Sequence, residues 1–296
     1  MTTFPKNFIG IGKNLNYTMD YLSRGCVRVN IPTLPYEAFD NTGSKLKPWS
    51  MLSLVESVRA FSFWTKDEQP GCRSSKKSYL DIDKVAKTNF IFIIGAKLTI
   101  NPVFNDHLSP KFPLFMDQKL TYLGKSSKTL TYDLYYADTK DLYFSCDVTD
   151  VIVSSVNRSP SPYPDWWTEK YGDIGTNERP DYSVADVPLN NVLTSSVQVK
   201  YGDIDQYRHT NWGAYLKYSY ENLSDQVTSN SYKYMRQSHM DKGLRECKLV
   251  YSGESNLGDV LTLQSWESEE RTNENSVFFN ILLGDAHCFH CNLKFY

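Results

Sequence analysis

One order of elements occurs twice in this 296-residue sequence, and that repeat limits the folds open to it more than any other feature. Each copy begins with an alternating strand, "CVRVNI" from Cys26 and "SVQVKY" from Ser196, with valine at every second position. Successive strand side chains point to opposite faces, so the spacing makes one face apolar and predicts a half-buried strand. A helix opened by tryptophan follows. "KPWSMLSLVESVRAFSFW" sets Trp49, Leu52, Val55, Glu56, Arg59 and Phe63 near helical spacing, and "NWGAYLKYSYENLSDQV" does the same with Trp212, Tyr215, Leu216, Tyr220 and Leu223. Alternating strands complete each copy. There "LTYLGKSSKTLTYDL" from Leu120 matches "LVYSGESNLGDVLTL" from Leu249, which sets Lys125 against Glu254.

A helix followed by antiparallel strands, present twice, defines an α+β chain in which each sheet wraps its own helix. A single copy leaves a sheet edge unpaired, so the expected solution is edge pairing of the two copies into an internal pseudo-dimer. The stretch "NRSPSPYPDWWTEKYGDIGTNERPDYSVADVPLNN" concentrates Pro, Asp, Asn and Ser with little periodicity. It divides the chain into a first copy over 1–165, a linker over 166–194 and a second copy over 195–296.

Charge narrows the partners. The 32 basic and 34 acidic residues give a net charge of −2 with no long single-sign block, so neither nucleic acid nor an anionic membrane surface is expected. No run approaches the roughly eighteen apolar residues of a membrane span, and "MTTFPKNFIGIGKNLNYT" carries no signal pattern, so a cytoplasmic protein is expected. Cys26, Cys72, Cys146, Cys247, Cys288 and Cys291 are scattered, which favours reduced thiols, and the Asn-x-Ser/Thr triplets at Asn16, Asn157 and Asn222 are expected to be silent. In "DAHCFHCNLKF", strand alternation separates Cys288 from Cys291 and no second ligand pair has zinc-ribbon spacing, so no metal is expected. "TINPVFNDHL" from Thr99 reads as a loop, and no phosphate loop or nucleophile elbow is present.

The stretch "YGDIDQYRHTNWGAYLKY" from Tyr201 joins the first strand of the second copy to the start of its helix. Free backbone N–H groups and the positive end of the helix dipole gather there and stabilise a carbonyl oxygen that gains negative charge. A carboxylate and an imidazole at that end add a base or nucleophile and an orienting group. Asp before a helix is more often only a cap, and a lone His is more often structural.

This stretch resembles the signature of hotdog-fold acyl-CoA and acyl-carrier-protein thioesterases, in which Asp-x-Asp-x-x-x-His-x-Asn leads into the central helix and a Tyr follows. Asp203, Asp205, His209, Asn211 and Tyr215 match it at every interval. Glu254 in "VYSGES" is similar to the catalytic glutamate of the plant acyl-carrier-protein enzymes, and "VNRSPSPYPDWWTEKY" is similar to the segment that ends the first hotdog in double-hotdog members. The resemblance implies a double hotdog, of the 4-hydroxybenzoyl-CoA thioesterase-like kind, that hydrolyses acyl-CoA or acyl-carrier-protein thioesters without a cofactor. It assigns catalysis to Asp205, His209 and Glu254. Substrate binding falls to Asp203, Tyr207, Asn211, Trp212, Gly213 and Tyr215, with Glu56 and Arg59 on the first helix as further candidates. The chain departs from the pattern at Tyr207, where the plant enzymes carry a catalytic Asn, and at Trp212, where a second Asn is usual. The first copy has no such set, so one reactive centre per chain is expected, the first copy supplying walls for the acyl chain. The alternative is a protein that binds acyl groups, or serves assembly, without turnover. As an internal pseudo-dimer the chain is expected as a monomer or a homodimer.

Overall fold

The computed structural model describes residues 15–40, 43, 45–64, 78–106, 112–176, 178–205, 207–268 and 275–296. Cys72 and His107-Leu108 lie outside them; the described part of the stretch from Thr99, expected as a loop, is instead the end of a strand and a short helix, Pro102–Asn105, capped by the Asn101 side chain on the Val103 amide. The chain divides into two compact units: 1–39, 53–94 and 108–180 form the first, and 40–52, 95–107 and 181–296 the second. The division cuts the first long helix, α1 (Pro48–Trp64), and the third strand, β3 (Asn89–Ile100).

The first unit holds β1 (Thr18–Ser23), β2 (Cys26–Ile31), most of α1, the start of β3, β4 (Leu114–Leu123), β5 (Ser127–Tyr136), β6 (Leu142–Ser154) and a short helix α2 (Asp165–Tyr171). Its strands lie in the order β1-β2-β4-β5-β6-β3. The alternation of "CVRVNI" is realised as expected: Val27, Val29 and Ile31 are buried, and the residues between them are not. The segment expected as a linker opens with α2. Its Trp167 is buried, donates its indole N–H to the Leu80 carbonyl at 2.7 Å and stacks on Tyr163.

The second unit holds the end of β3, β7 (Leu193–Gln198), α3 (Trp212–Thr228), α4 (Gln237–Lys242), β8 (Leu244–Tyr251), β9 (Val260–Glu267), β10 (Ser276–Leu283) and β11 (Ala286–Phe295). The order is β3-β8-β11-β10-β9-β7. α3 lays Leu216 and Leu223 into the core and stacks Tyr215 on Phe289 of β11 with ring centroids 5.2 Å apart. Cys26, Cys146, Cys247, Cys288 and Cys291 are free thiols.

Counting strands corrects one expectation. After the long helix come β3, β4, β5 and β6 in the first unit, and β8, β9, β10 and β11 in the second. The counterpart of β8 is therefore β3, and Lys125, in the turn between β4 and β5, is not the counterpart of Glu254, which lies between β8 and β9. Leu-x-Tyr-x-Gly marks the ends of two different strands, because Leu and Tyr suit any half-buried strand and Gly any turn.

The interior of the first unit contains a buried ion cluster. Lys128 on β5 and Asp150, directly opposite it on β6, are both sequestered, with Nζ to Oδ2 at 2.6 Å. Arg59 of α1 reaches the same carboxylate at 3.4 Å and Glu56 at 3.3 Å. Burial drives the Lys128 pKa down against the pull of Asp150. Removing Lys128 alone leaves the buried Asp150 with only the longer contact to Arg59, whereas removing Lys128 and Asp150 together takes out a closely paired cation and anion and leaves Arg59 with Glu56. Lys128→Met is expected to cost about 3–5 kcal/mol in urea unfolding, and Lys128→Met with Asp150→Leu to recover part of that loss, because the buried Arg59 then keeps only Glu56.

Candidate active site

β7 runs into a single 3-10 turn, Tyr201–Asp203, and the chain then loops into α3. Asp203 holds that turn. Its carboxylate accepts from the Lys200 amide at 3.1 Å and from Lys217 Nζ at 3.0 Å, and its carbonyl accepts from the Asn211 amide at 2.7 Å. Burial alone raises the pKa of this carboxyl, but Lys217, Tyr218 and the Lys200 amide outweigh it and the net shift is downward.

Asp205 organises the loop itself. Its Oδ1 accepts from the amides of Tyr207 at 2.8 Å and His209 at 3.2 Å, while its own amide donates to the His209 carbonyl at 2.8 Å. Arg208 takes a left-handed φ of 69° to close the turn. Oδ2 has no hydrogen-bond partner among the described residues, so one carboxylate oxygen is left for a ligand or water. Burial raises the Asp205 pKa. The two amides and His209 act against it, and Glu254 adds to it.

His209 Nδ1 lies 3.5 Å from Glu254 Oε2, with side-chain exposures of 28% and 52%. Two neighbours fasten this pair. The Thr210 amide donates to the Ser255 carbonyl at 2.7 Å, and the Thr210 and Ser255 hydroxyls meet at 2.6 Å. The Tyr215 hydroxyl joins Ser255 Oγ at 2.8 Å, and His209 bridges to Asn256. Thr210, Ser255 and Asn256 were not among the sequence candidates. The available signal was position: Thr210 and Ser255 each directly follow a candidate, and alternation turns neighbouring side chains to the opposite face.

Asn211 caps α3, its Oδ1 accepting from the Gly213 amide at 2.9 Å. A Cβ at Gly213 would stand 3.3 Å from that capping oxygen and 3.7 Å from the Trp49 carbonyl, so the absent side chain permits the close approach. Trp212 is 9% exposed, and its carbonyl accepts from the Tyr251 hydroxyl at 3.0 Å. Tyr215 is 2% exposed and faces Ser255, which makes it a support behind the loop. The ring of Tyr207 stands 6.5 Å from that of His209. Asp205, Tyr207, His209, Asn211 and Glu254 thus gather at the start of α3. Glu56 and Arg59 belong to the first unit and are engaged there.

Among the described residues no three His, Cys, Asp or Glu side chains form a group able to hold a metal ion. In β11, His287 Nδ1 lies 3.0 Å from Asn280 Oδ1, and burial lowers the His290 pKa to about 4, with Lys248 and His287 adding to the shift.

No family model matches the sequence, and no curated protein matches it. Solved structures do. A structure described as an oleoyl thioesterase from Lactobacillus plantarum is 14% identical, with 96% of this chain and 98% of that chain covered at a TM-score of 0.62. The 12:0-ACP thioesterase from Umbellularia californica is 11% identical, with 94% and 99% covered at 0.64. An acyl-ACP thioesterase from Bacteroides thetaiotaomicron is 11% identical, with 92% and 98% covered at 0.64. The chain has the hotdog fold of these thioesterases over nearly its whole length. Among the described residues no helix is long and apolar enough to cross a membrane.

The raised Asp205 pKa has a consequence for stability. The folded chain holds this proton more tightly than the unfolded chain, so ionising Asp205 lowers stability as pH rises from the ordinary value of 3.8 through the raised folded value. Asn keeps the acceptor that Tyr207 and His209 use and removes the charge. Asp205→Asn is expected to raise Tm near pH 7, and the gain should vanish near about pH 3, where both proteins are neutral at this position; calorimetry at the two pH values checks it.

Proposed function

We propose that the chain hydrolyses acyl thioesters of coenzyme A or acyl carrier protein. The observation that carries this reading is the half-buried Asp205, held by two backbone amides through Oδ1, with Oδ2 unpartnered among the described residues, beside a His209–Glu254 pair at the N-terminal end of α3. The names of the thioesterases with similar folds support the same class of substrate.

In this reading the thioester carbonyl oxygen sits at the first turn of α3, where the helix dipole and N–H groups stabilise the negative charge it acquires. Asp205 Oδ2 takes a proton from an attacking water, or attacks the carbonyl carbon itself and is then released by water. His209, oriented by Glu254, positions the water and delivers a proton to the departing sulfur. The carbon–sulfur bond breaks, and a free acid and a thiol result. We also read the two units as paired hotdogs, an internal pseudo-dimer in the cytoplasm with one reactive centre per chain, because the first connection, "PTLPYEAFDNTGSKLKPW", has no His and no Asp-x-Asp.

The test is thiol release from acyl-CoA and acyl-carrier-protein substrates over a series of chain lengths. The wild type is expected to turn over. Asp205→Asn and His209→Ala, each folded by circular dichroism, are expected to lose about 10²–10⁴-fold in kcat, and the exposed Glu254→Gln less. Stoichiometric retention of acyl-CoA without thiol release by the wild type overturns the reading.

A further inference from the structure

The contact between His209 and Glu254 does not hold its own geometry. At 3.5 Å, with the imidazole 28% and the carboxylate 52% exposed, it is a solvent-screened pair of the kind that contributes little and leaves both side chains free to move. Its order must come from the backbone beneath it. Glu254 lies in the connection between β8 and β9, and that connection is fixed on both sides. Upstream, the Ser252 and Gly253 amides both donate to the Cys288 carbonyl of β11, at 3.0 and 3.1 Å. A Cβ at Gly253 would stand 2.9 Å from the His287 carbonyl, so only glycine lets the chain lie this close to β11. The Cys288 thiol reaches the Glu254 carbonyl at 3.8 Å.

Downstream lies Ser255, which has no exposed surface, and its hydroxyl is the meeting point of two others. Thr210 Oγ1 stands 2.6 Å from it and the Tyr215 hydroxyl 2.8 Å, while Thr210 Oγ1 also reaches the Ser255 carbonyl at 3.2 Å. The three hydroxyls carry three protons, and one direction of donation places them all: Tyr215 to Ser255, Ser255 to Thr210, and Thr210 to the Ser255 carbonyl. Reversed, the Tyr215 proton has no acceptor among the described residues. Hydroxyls in such a buried chain polarise one another, and each lost member leaves another unsatisfied. Tyr215 is itself fixed by its stack on Phe289, so the circuit ties the backbone next to Glu254 to the body of α3. Thr210, Tyr215 and Ser255 are all buried, and they act on a reaction only through the groups they hold.

We propose that Ser255 and Tyr215 are positioning residues of the reactive centre: their hydroxyl circuit with Thr210 holds the Glu254 carboxylate against the His209 imidazole. The assignment rests on the thioesterase reading and names what keeps its His209–Glu254 pair in place.

Tyr215→Phe and Thr210→Val each delete one hydroxyl at nearly constant shape, and Ser255→Ala deletes the node. In variants shown folded by circular dichroism, each is expected to lower kcat for an acyl-CoA about 10–100-fold with KM within about threefold, and Thr210→Ser, which keeps the circuit, to recover most of the loss of Thr210→Val. Made in Glu254→Ala, the Ser255→Ala change is expected to cost less than about threefold, because no carboxylate is left to position; a general loss of packing would cost the same in both backgrounds. A second readout needs no turnover. The ring nitrogens of His209, one of five histidines and assigned by their absence in His209→Ala, report its carboxylate partner in nitrogen NMR. Ser255→Ala and Tyr215→Phe are expected to move the Nδ1 resonance in the direction that Glu254→Ala moves it, and to move it no further when combined with Glu254→Ala. If the wild type releases no thiol yet shows this pattern, the positioning assignment stands and the hydrolase reading fails. An unmoved Nδ1 resonance in folded Ser255→Ala, or an equal kcat loss with and without Glu254, overturns the assignment.

Discussion

The hydrogen bond from the Thr210 amide to the Ser255 carbonyl, reinforced by the contact between their hydroxyls, is the interaction on which the candidate site depends. Thr210 follows His209 and Ser255 follows Glu254, so this staple brings two loops 45 residues apart into register and sets the imidazole against the carboxylate. Ser255 is fully buried, and its hydroxyl is also held by Tyr215, so the loops are tied back to α3. Buried polar networks of this kind hold geometry well when every member is satisfied. Orientation of reacting groups within a fraction of an ångström is what such an arrangement offers to a reaction.

The same economy governs the start of α3. Asp203, Asp205 and Asn211 all bond backbone amides, yet they do different things. Asp203 spends both oxygens, one on the Lys200 amide and one on Lys217, and Asn211 spends its side-chain oxygen on the Gly213 amide. Among the described residues Asp205 spends only one, and it carries the raised pKa of a desolvated acid. A group held partly unsatisfied at the mouth of a helix lowers stability and raises reactivity together.

The two units differ in how they treat polarity inside. The first buries full charges, Lys128 with Asp150 and Arg59, and those charges require each other's company. The second buries hydroxyls and aromatic rings, including the stack of Tyr215 on Phe289, and pairs its buried carboxylate, Asp203, with the half-buried Lys217.

Several of these features were legible in the sequence, because local patterning carries them. Alternating valines mark β2, the tryptophan-led helical spacing marks α1 and α3, and the Asp-x-Asp-x-x-x-His-x-Asn interval places its polar groups at a helix start whatever the rest of the chain does. Other features were not. The interval treats Asp203 and Asp205 alike, and only the position of Lys217, fourteen residues on, separates the satisfied carboxylate from the open one. Leu-x-Tyr-x-Gly looks the same at the end of any strand, so strand order was needed to detach Lys125 from Glu254. Arg59 has the helical spacing of a pocket residue, but its partner Asp150 lies 91 residues away. By itself the sequence determined the element types and the crowding of polar side chains before α3, since both follow from the 2.0 and 3.6 residue periods of the backbone. Which carboxylate is satisfied and which loops meet were decided by the tertiary structure, because those properties belong to pairs of residues that only long-range strand pairing brings together.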